Sequence, residues 1–181
     1  MKTLDQFFIS FTGLKPGEHG FDLRVDDSFF DCFEEGEIRH GSIDVTLNLV
    51  KEERMLVFQF HFFGTVTLPC DRCGELVDIP INSSETLIVK IGNPGEGRTG
   101  ANNDDVEWIP ETTTRFDTAP FIYETMHLLL PIKRVHPTTK DGKSACNPEI
   151  LKKLNELCHR QTIDDRWEPL KELTLENKLK K

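Results

Sequence analysis

The chain has 181 residues, 37% of them apolar and 29% charged, a balance that suits one soluble globular domain with a lean core. Its net charge of −9 sets the molecule as a whole against polyanions, and no stretch reaches the ~20 apolar residues that a membrane-spanning helix needs. Five unevenly spaced cysteines, with no apolar leader in "MKTLDQFFIS", argue against a secreted disulfide framework and for reduced thiols in the cytoplasm.

The charge is unevenly spread. Residues 1–132 carry −13 and residues 133–181 carry +4, so nucleic-acid contact is compatible with the last quarter only. Thirteen Phe against two Trp and one Tyr favour strands, where flat rings pack on a pleated surface.

From the N-terminus, "FFISFTGL" and "GFDLRV" are candidate strands. In "SIDVTLNLV" (42–50), Ile43, Val45, Leu47 and Leu49 alternate with polar neighbours, the period of a half-buried strand. After the turn "KEER", "MLVFQFHFFG" returns with Leu56, Phe58, Phe60 and Phe62 on one face. Met55, Val57, Gln59, His61 and Phe63 on the other predict a strand covered on both sides, and Gly64 predicts a bend or bulge. A turn at 70–74 leads into "LVDIPINSSETLIVKI", whose apolar residues hold odd parity across Pro80; that proline confines its region to a sheet edge or a bulge. Short turns between neighbouring segments make a meander the economical arrangement.

Residues 92–105, dense in Gly and Asn, predict a mobile loop, and "VEWIPE" a short extended piece. A helix is expected in "FDTAPFIYETMHLLLPIKR", capped by Asp117 or Thr118, with Pro120 in its first turn and Pro131 ending it. A second is expected in "NPEILKKLNELCHR", with Asn147 as cap. The expected architecture is α+β: an antiparallel, curved, barrel-like sheet of about five to seven strands with two C-terminal helices packed on it. It forms one domain over 1–181 with a basic tail at 174–181.

Cys70-Asp71-Arg72-Cys73 between two strands has the shape of a zinc knuckle, with Gly74 permitting the reversal. It is half a site, since structural zinc takes four ligands, and a metal-free turn is the competing reading. Cys146 and Cys158 flank the second helix and stand ~18 Å apart at ~1.5 Å per residue, whereas sulfurs on one zinc are ~4 Å apart. A site from Cys70, Cys73, Cys146 and Cys158 is therefore incompatible with that helix, while a mixed site using His136 and Cys146 is not. A redox couple would need a helix after the first Cys, where a strand is expected. Catalytic motifs are missing: no phosphate-binding glycine loop, no dinucleotide fingerprint, no His-Glu-x-x-His. His61 suits a structural, hydrogen-bonded role, and Glu124 with His127 suits a solvated helix face.

"GTVTLPCDRCGE", "FDTAPFIYETMHLLLPIKRVHP" and "DDRWEPLKEL" occur in that order. Together they resemble the YceD-like family of large ribosomal RNA subunit accumulation proteins. The matching positions are Cys70, Asp71, Arg72 and Cys73; Asp117, Glu124, Leu128 and Pro131; and Asp164, Arg166, Trp167, Leu170 and Leu173. Two departures stand out. Many members carry a dense second cysteine cluster where this chain has only Cys146 and Cys158, and Asp165 stands where the family often has Pro.

The resemblance implies a bacterial, cytoplasmic, non-enzymatic ribosome-biogenesis factor. It would support accumulation, processing or stability of large-subunit ribosomal RNA precursor, with that RNA or its ribosomal proteins as partners. No membrane and no small-molecule substrate is expected. Candidate contacts are Arg72, Lys133, Arg134, Lys140, Lys143, Arg166 and Trp167, where Trp167 either stacks a base or pins the tail to the sheet. Candidate metal ligands are Cys70 and Cys73; no cofactor is required, and zinc is the one the thiols would admit. The competing readings are a small interaction module, zinc-stabilised or not, without an RNA role, and a Mg²⁺ nuclease using Asp104, Asp105 and Glu107. The last is disfavoured because a Gly/Asn-rich loop holds ligands poorly to octahedral geometry.

Overall fold

A computed structural model describes residues 4–33, 36–92, 106–139 and 141–158. The chain divides into two compact units, Met1–Val135 and His136–Lys181. The first is built on the alternating segments. Strands β2 (Gly17–Asp26), β3 (His40–Lys51), β4 (Met55–Pro69), β5 (Leu76–Ile91) and β6 (Val106–Ile109) form one sheet in sequence order. A separate antiparallel pair joins β1 (Phe8–Ser10) to β7 (Arg115–Asp117).

The meander expected from the short turns is present from β2 to β5, each pair antiparallel. The barrel-like closure is not: the five-stranded sheet is open, with β2 and β6 at its ends. It is also mixed, because β6 runs parallel to β5, with Ile88 opposite Val106 and Ile91 opposite Ile109. A parallel neighbour requires a crossover of about a dozen residues or more, and residues 92–105 provide that length. The expected mobile loop there lies, from residue 93 onward, outside the described residues.

One face of the sheet is the core. Ile43, Val45, Leu47 and Leu49 of β3, Leu56, Phe58, Phe60 and Phe62 of β4, and Val77, Ile79, Ile81, Leu87 and Val89 of β5 are all buried, as their parity demands. The opposite face of β4 is open rather than covered: Gln59 and His61 are exposed and Phe63 is 61% exposed. A hydrophobic run across both parities misled there, since Phe63 pairs with Asp44 and Asn82 on a polar surface.

Short elements cover the buried face. A 3-10 turn (Leu4–Phe7) and α1 (Asp27–Phe30) supply Phe7, Phe29 and Phe30, with the Phe7 and Phe29 rings 4.7 Å apart. Helix α2 (Ala119–Leu128) buries Ala119, Ile122, Thr125 and Met126, and its Phe121 ring lies 5.0 Å from that of Phe60. As its start predicts, the Asp117 carboxylate accepts from the Ala119 N–H at 3.0 Å and Pro120 occupies the first turn. Thr118 instead donates its hydroxyl to the Phe7 carbonyl, tying the helix start to the N-terminal turn.

Gly64 is not a bulge. It pairs in unbroken register with Ile43 and Ile81, and a Cβ there would sit 2.1 Å from the Ser42 carbonyl oxygen and 2.7 Å from Ile43 Cα. The requirement is close approach of two backbones. Pro80 pairs opposite Thr65 inside β5. Odd-numbered β5 positions bond toward β4, as Cys70 N–H to Glu75 carbonyl and Ile91 N–H to Arg54 carbonyl show; the even-numbered Gly92 donates to Ile109 instead. Pro80 therefore turns its missing N–H away from β4, along a stretch of β5 with no partner strand among the described residues.

Helix α1 begins at Asp26, whose carboxylate accepts from the N–H of Ser28 (2.8 Å) and Phe29 (3.3 Å) and from the Ser28 hydroxyl. These bonds, the Ser28 hydroxyl first, hold its pKa below the ordinary 3.8, and a hydrogen bond from His40 followed by one from the Gly41 N–H does the same for Asp27. Their stabilisation is full above the ordinary carboxylate value and is lost as pH falls through the lowered folded values. Asp26→Ala should cost about 1 kcal/mol at neutral pH. The same substitution should flatten the fall of the urea midpoint between about pH 5 and pH 2.

In the second unit, α3 (Pro148–Cys158) starts as the sequence predicts, with the Asn147 side chain accepting from the Glu149 N–H at 2.9 Å. It carries no buried residue, and Cys158 at its end is exposed. Before it, Thr138 and Ser144 form an isolated antiparallel bridge around a turn in which Gly142 adopts φ +73°.

Candidate metal centre

The turn between β4 and β5 is built to present two sulfurs. The Cys70 N–H donates to the Glu75 carbonyl and the Gly74 N–H returns to the Cys70 carbonyl, both at 2.8 Å. Gly74 sits at φ +76°, a left-handed conformation that side-chain-bearing residues rarely adopt. Cys70 and Cys73 end up buried while Asp71 and Arg72 between them face outward. A strand follows rather than a helix, so the N-terminal helix dipole that activates a redox cysteine is lacking here.

A second device fixes the chain just before His136. The Asp71 N–H donates to the Arg134 carbonyl at 2.7 Å, and the Asp71 carboxylate accepts from the Arg134 N–H at 2.6 Å. The Arg134 side chain in turn donates to the Glu37 carboxylate. That carboxylate, with a smaller contribution from Asp71, raises the guanidinium above its ordinary value against the effect of burial. Sequence reading missed both pairings: Asp71 and Arg134 are 63 residues apart, Glu37 and Arg134 97. No local pattern encodes such a distance.

In the first unit the Sγ atoms of Cys70 and Cys73 lie within 4.8 Å of each other, and in the second unit a ring nitrogen of His136 lies within 4.8 Å of the Cys146 Sγ. The three cysteines are buried and the histidine is half-buried. Cys158 stands at the far end of a helix that does form, and Cys32 donates its thiol to the Ser28 carbonyl at 3.3 Å. Sulfurs on a tetrahedral zinc stand about 4 Å apart, so Cys70 and Cys73 have the spacing of half such a site.

The remaining candidates separate. Arg72 and Lys133 are exposed, as is Lys143 in the second unit. Arg134 is committed to Glu37 and Asp71, which makes it a positioning residue for the turn. Lys140, Arg166 and Trp167 lie outside the described residues, as does the basic tail at 174–181. For the nuclease reading, Asp104 and Asp105 also lie outside them. Glu107 lines an open groove of about 720 Å³ with Trp108, Phe121 and Glu124. Burial raises its pKa and the Glu124 charge adds to the effect. Neither histidine nor cysteine lines that groove. His61 is exposed and hydrogen-bonds Ser84 at 3.0 Å, and His127 bonds the Tyr123 carbonyl at 2.9 Å rather than Glu124.

Comparison with curated proteins and with solved structures gave no significant match. A family model described as large ribosomal RNA subunit accumulation protein YceD matches residues 58–174, which take in the cysteine turn, α2, the His136–Cys146 segment and α3. That match covers well over half of the sequence, and the chain belongs to the YceD family.

Proposed function

We propose that this protein is a non-enzymatic factor of ribosome biogenesis, supporting accumulation of large-subunit ribosomal RNA in the bacterial cytoplasm by binding the precursor or its ribosomal proteins. The observation that carries the reading is the family match over residues 58–174. The charge distribution supports it: an acidic body joined to a chain segment of net +4 gives a handle for phosphate without making the whole molecule a polycation binder. Contacts would come from exposed bases such as Arg72, Lys133 and Lys143, with Lys140, Arg166 and Trp167 adding to them. A few phosphate contacts make binding weak and steeply salt-dependent. No helix among the described residues is long and apolar enough to cross a membrane.

Depletion of the protein should lower the ratio of large- to small-subunit ribosomal RNA. In low-salt gradients the protein should sediment in part with large-subunit precursor particles and leave them as salt is raised. A normal RNA ratio, with the protein at the top of the gradient under all conditions, would refute the reading and leave the interaction-module alternative.

A further inference from the structure

Building on the binding role proposed above, we infer that the groove between β6 and α2 is where a protein partner docks, seating a lysine or arginine side chain of a basic segment. Strand parity puts the first carboxylate there. In β6, Ile109 is buried opposite Ile91, and Glu107 two residues earlier stands opposite the fully buried Val89. Glu107 thus has the core-facing parity of the end strand, where an apolar side chain is the rule. Helix α2 packs on that face of the sheet and brings Glu124 to the same groove. Burial raises the Glu107 pKa and the Glu124 charge adds to the effect, so the two carboxylates repel. Among the described residues neither side chain has a cation paired with it. Lys90, on the neighbouring strand, is turned to the Trp108 ring, 5.6 Å from its centroid.

The walls of the groove select the occupant. It measures about 720 Å³ and is lined, besides the two carboxylates and Thr86, by Leu87, Val106, Trp108, Pro120 and Phe121. A bare Mg²⁺ or Ca²⁺ takes six or more oxygen ligands, whereas the side chains here offer two carboxylates and one hydroxyl across a space many times an ion's size. RNA is repelled by the same carboxylates, set in a body that carries −13 over residues 1–132. An ammonium or guanidinium on an aliphatic stem meets both conditions. Its stem lies along the apolar wall while its charge comes between Glu107 and Glu124. Filling the groove in this way neutralises a repulsive pair, and the acidic body steers a basic chain toward it.

The test is fluorescence anisotropy of a short labelled peptide, alternating Lys or Arg with Leu, titrated with the full-length protein at low salt. Glu107→Gln combined with Glu124→Gln should weaken binding roughly tenfold. Glu18→Gln combined with Asp22→Asn makes the same charge change at exposed positions of β2, at the opposite end of the sheet, and should weaken it less than about twofold. Glu107→Gln should keep or raise the urea midpoint, since it removes a like-charge repulsion, so weaker binding is not unfolding. Equal weakening in the two double variants, or none in either, would overturn the docking site. So would displacement of the peptide by Mg²⁺ or spermidine where KCl of equal ionic strength leaves it bound, which assigns the groove to a small cation. The site and the proposed function fail separately. Groove-dependent peptide binding by a protein that never sediments with large-subunit particles keeps the site and refutes the biogenesis role, and sedimentation without groove-dependent binding does the reverse.

Discussion

Phe60→Ala should destabilise the protein by about 3–5 kcal/mol, the cost of removing an aromatic ring from a site that cannot collapse around the gap. Phe60 is 1% exposed, and its ring lies 5.9 Å from that of Phe62, 6.3 Å from that of Phe58 and 5.0 Å from that of Phe121. It thus joins the two flanking rings of β4 to the helix that covers them. Against a total stability of roughly 5–15 kcal/mol for an ordinary domain, that loss approaches the threshold of unfolding. Phe63→Ala removes the same ring three residues further along the strand, at a position 61% exposed, and should change stability by no more than about 0.5 kcal/mol. Urea midpoints of the two variants at constant m-value measure the contrast. Equal losses would mean that the polar face of the sheet is covered in solution.

Gly64→Ala should cost about 3 kcal/mol despite adding a single methyl group, at the upper end of overpacking penalties. The new carbon would fall 2.1 Å from the Ser42 carbonyl oxygen, which is backbone and has no rotamer to relieve the clash. β3 must move, and the ladder it shares with β4 runs from His40 to Lys51. Hydrogen exchange should show amide protection lost first around Ser42–Val45, with β5 less affected. A variant as stable as the parent would show that the two strands are farther apart than described.

Most of the sheet was legible because period-two alternation is a direct image of a surface with one wet side. Ile43 to Leu49 and Val77 to Val89 show it plainly, and their burial follows residue by residue. The reading failed where β4 carries apolar residues on both parities, for Phe63 alone does not declare whether something covers it. The four-residue helix α1 and the three-residue β7 are too short to express any period. Closure of the sheet and the direction of β6 depend on how distant ends meet, which no local pattern states. The cysteine turn was legible from Cys-x-x-Cys and Gly74. Its companions could only be bounded: helix geometry excluded Cys146 and Cys158 from one shared site and left a mixed site with His136 and Cys146 open beside the bare turn.

Pro80 has a consequence for behaviour at high concentration. Sheets with exposed margins invite strands from other molecules, and in-register addition there is a route to fibrils. At the middle of the stretch that pairs with no strand among the described residues, β5 offers an arriving strand a ring where a donor is needed, leaving the newcomer's carbonyl unsatisfied. A Phe-rich chain is thereby protected against growing sideways into aggregates through this margin.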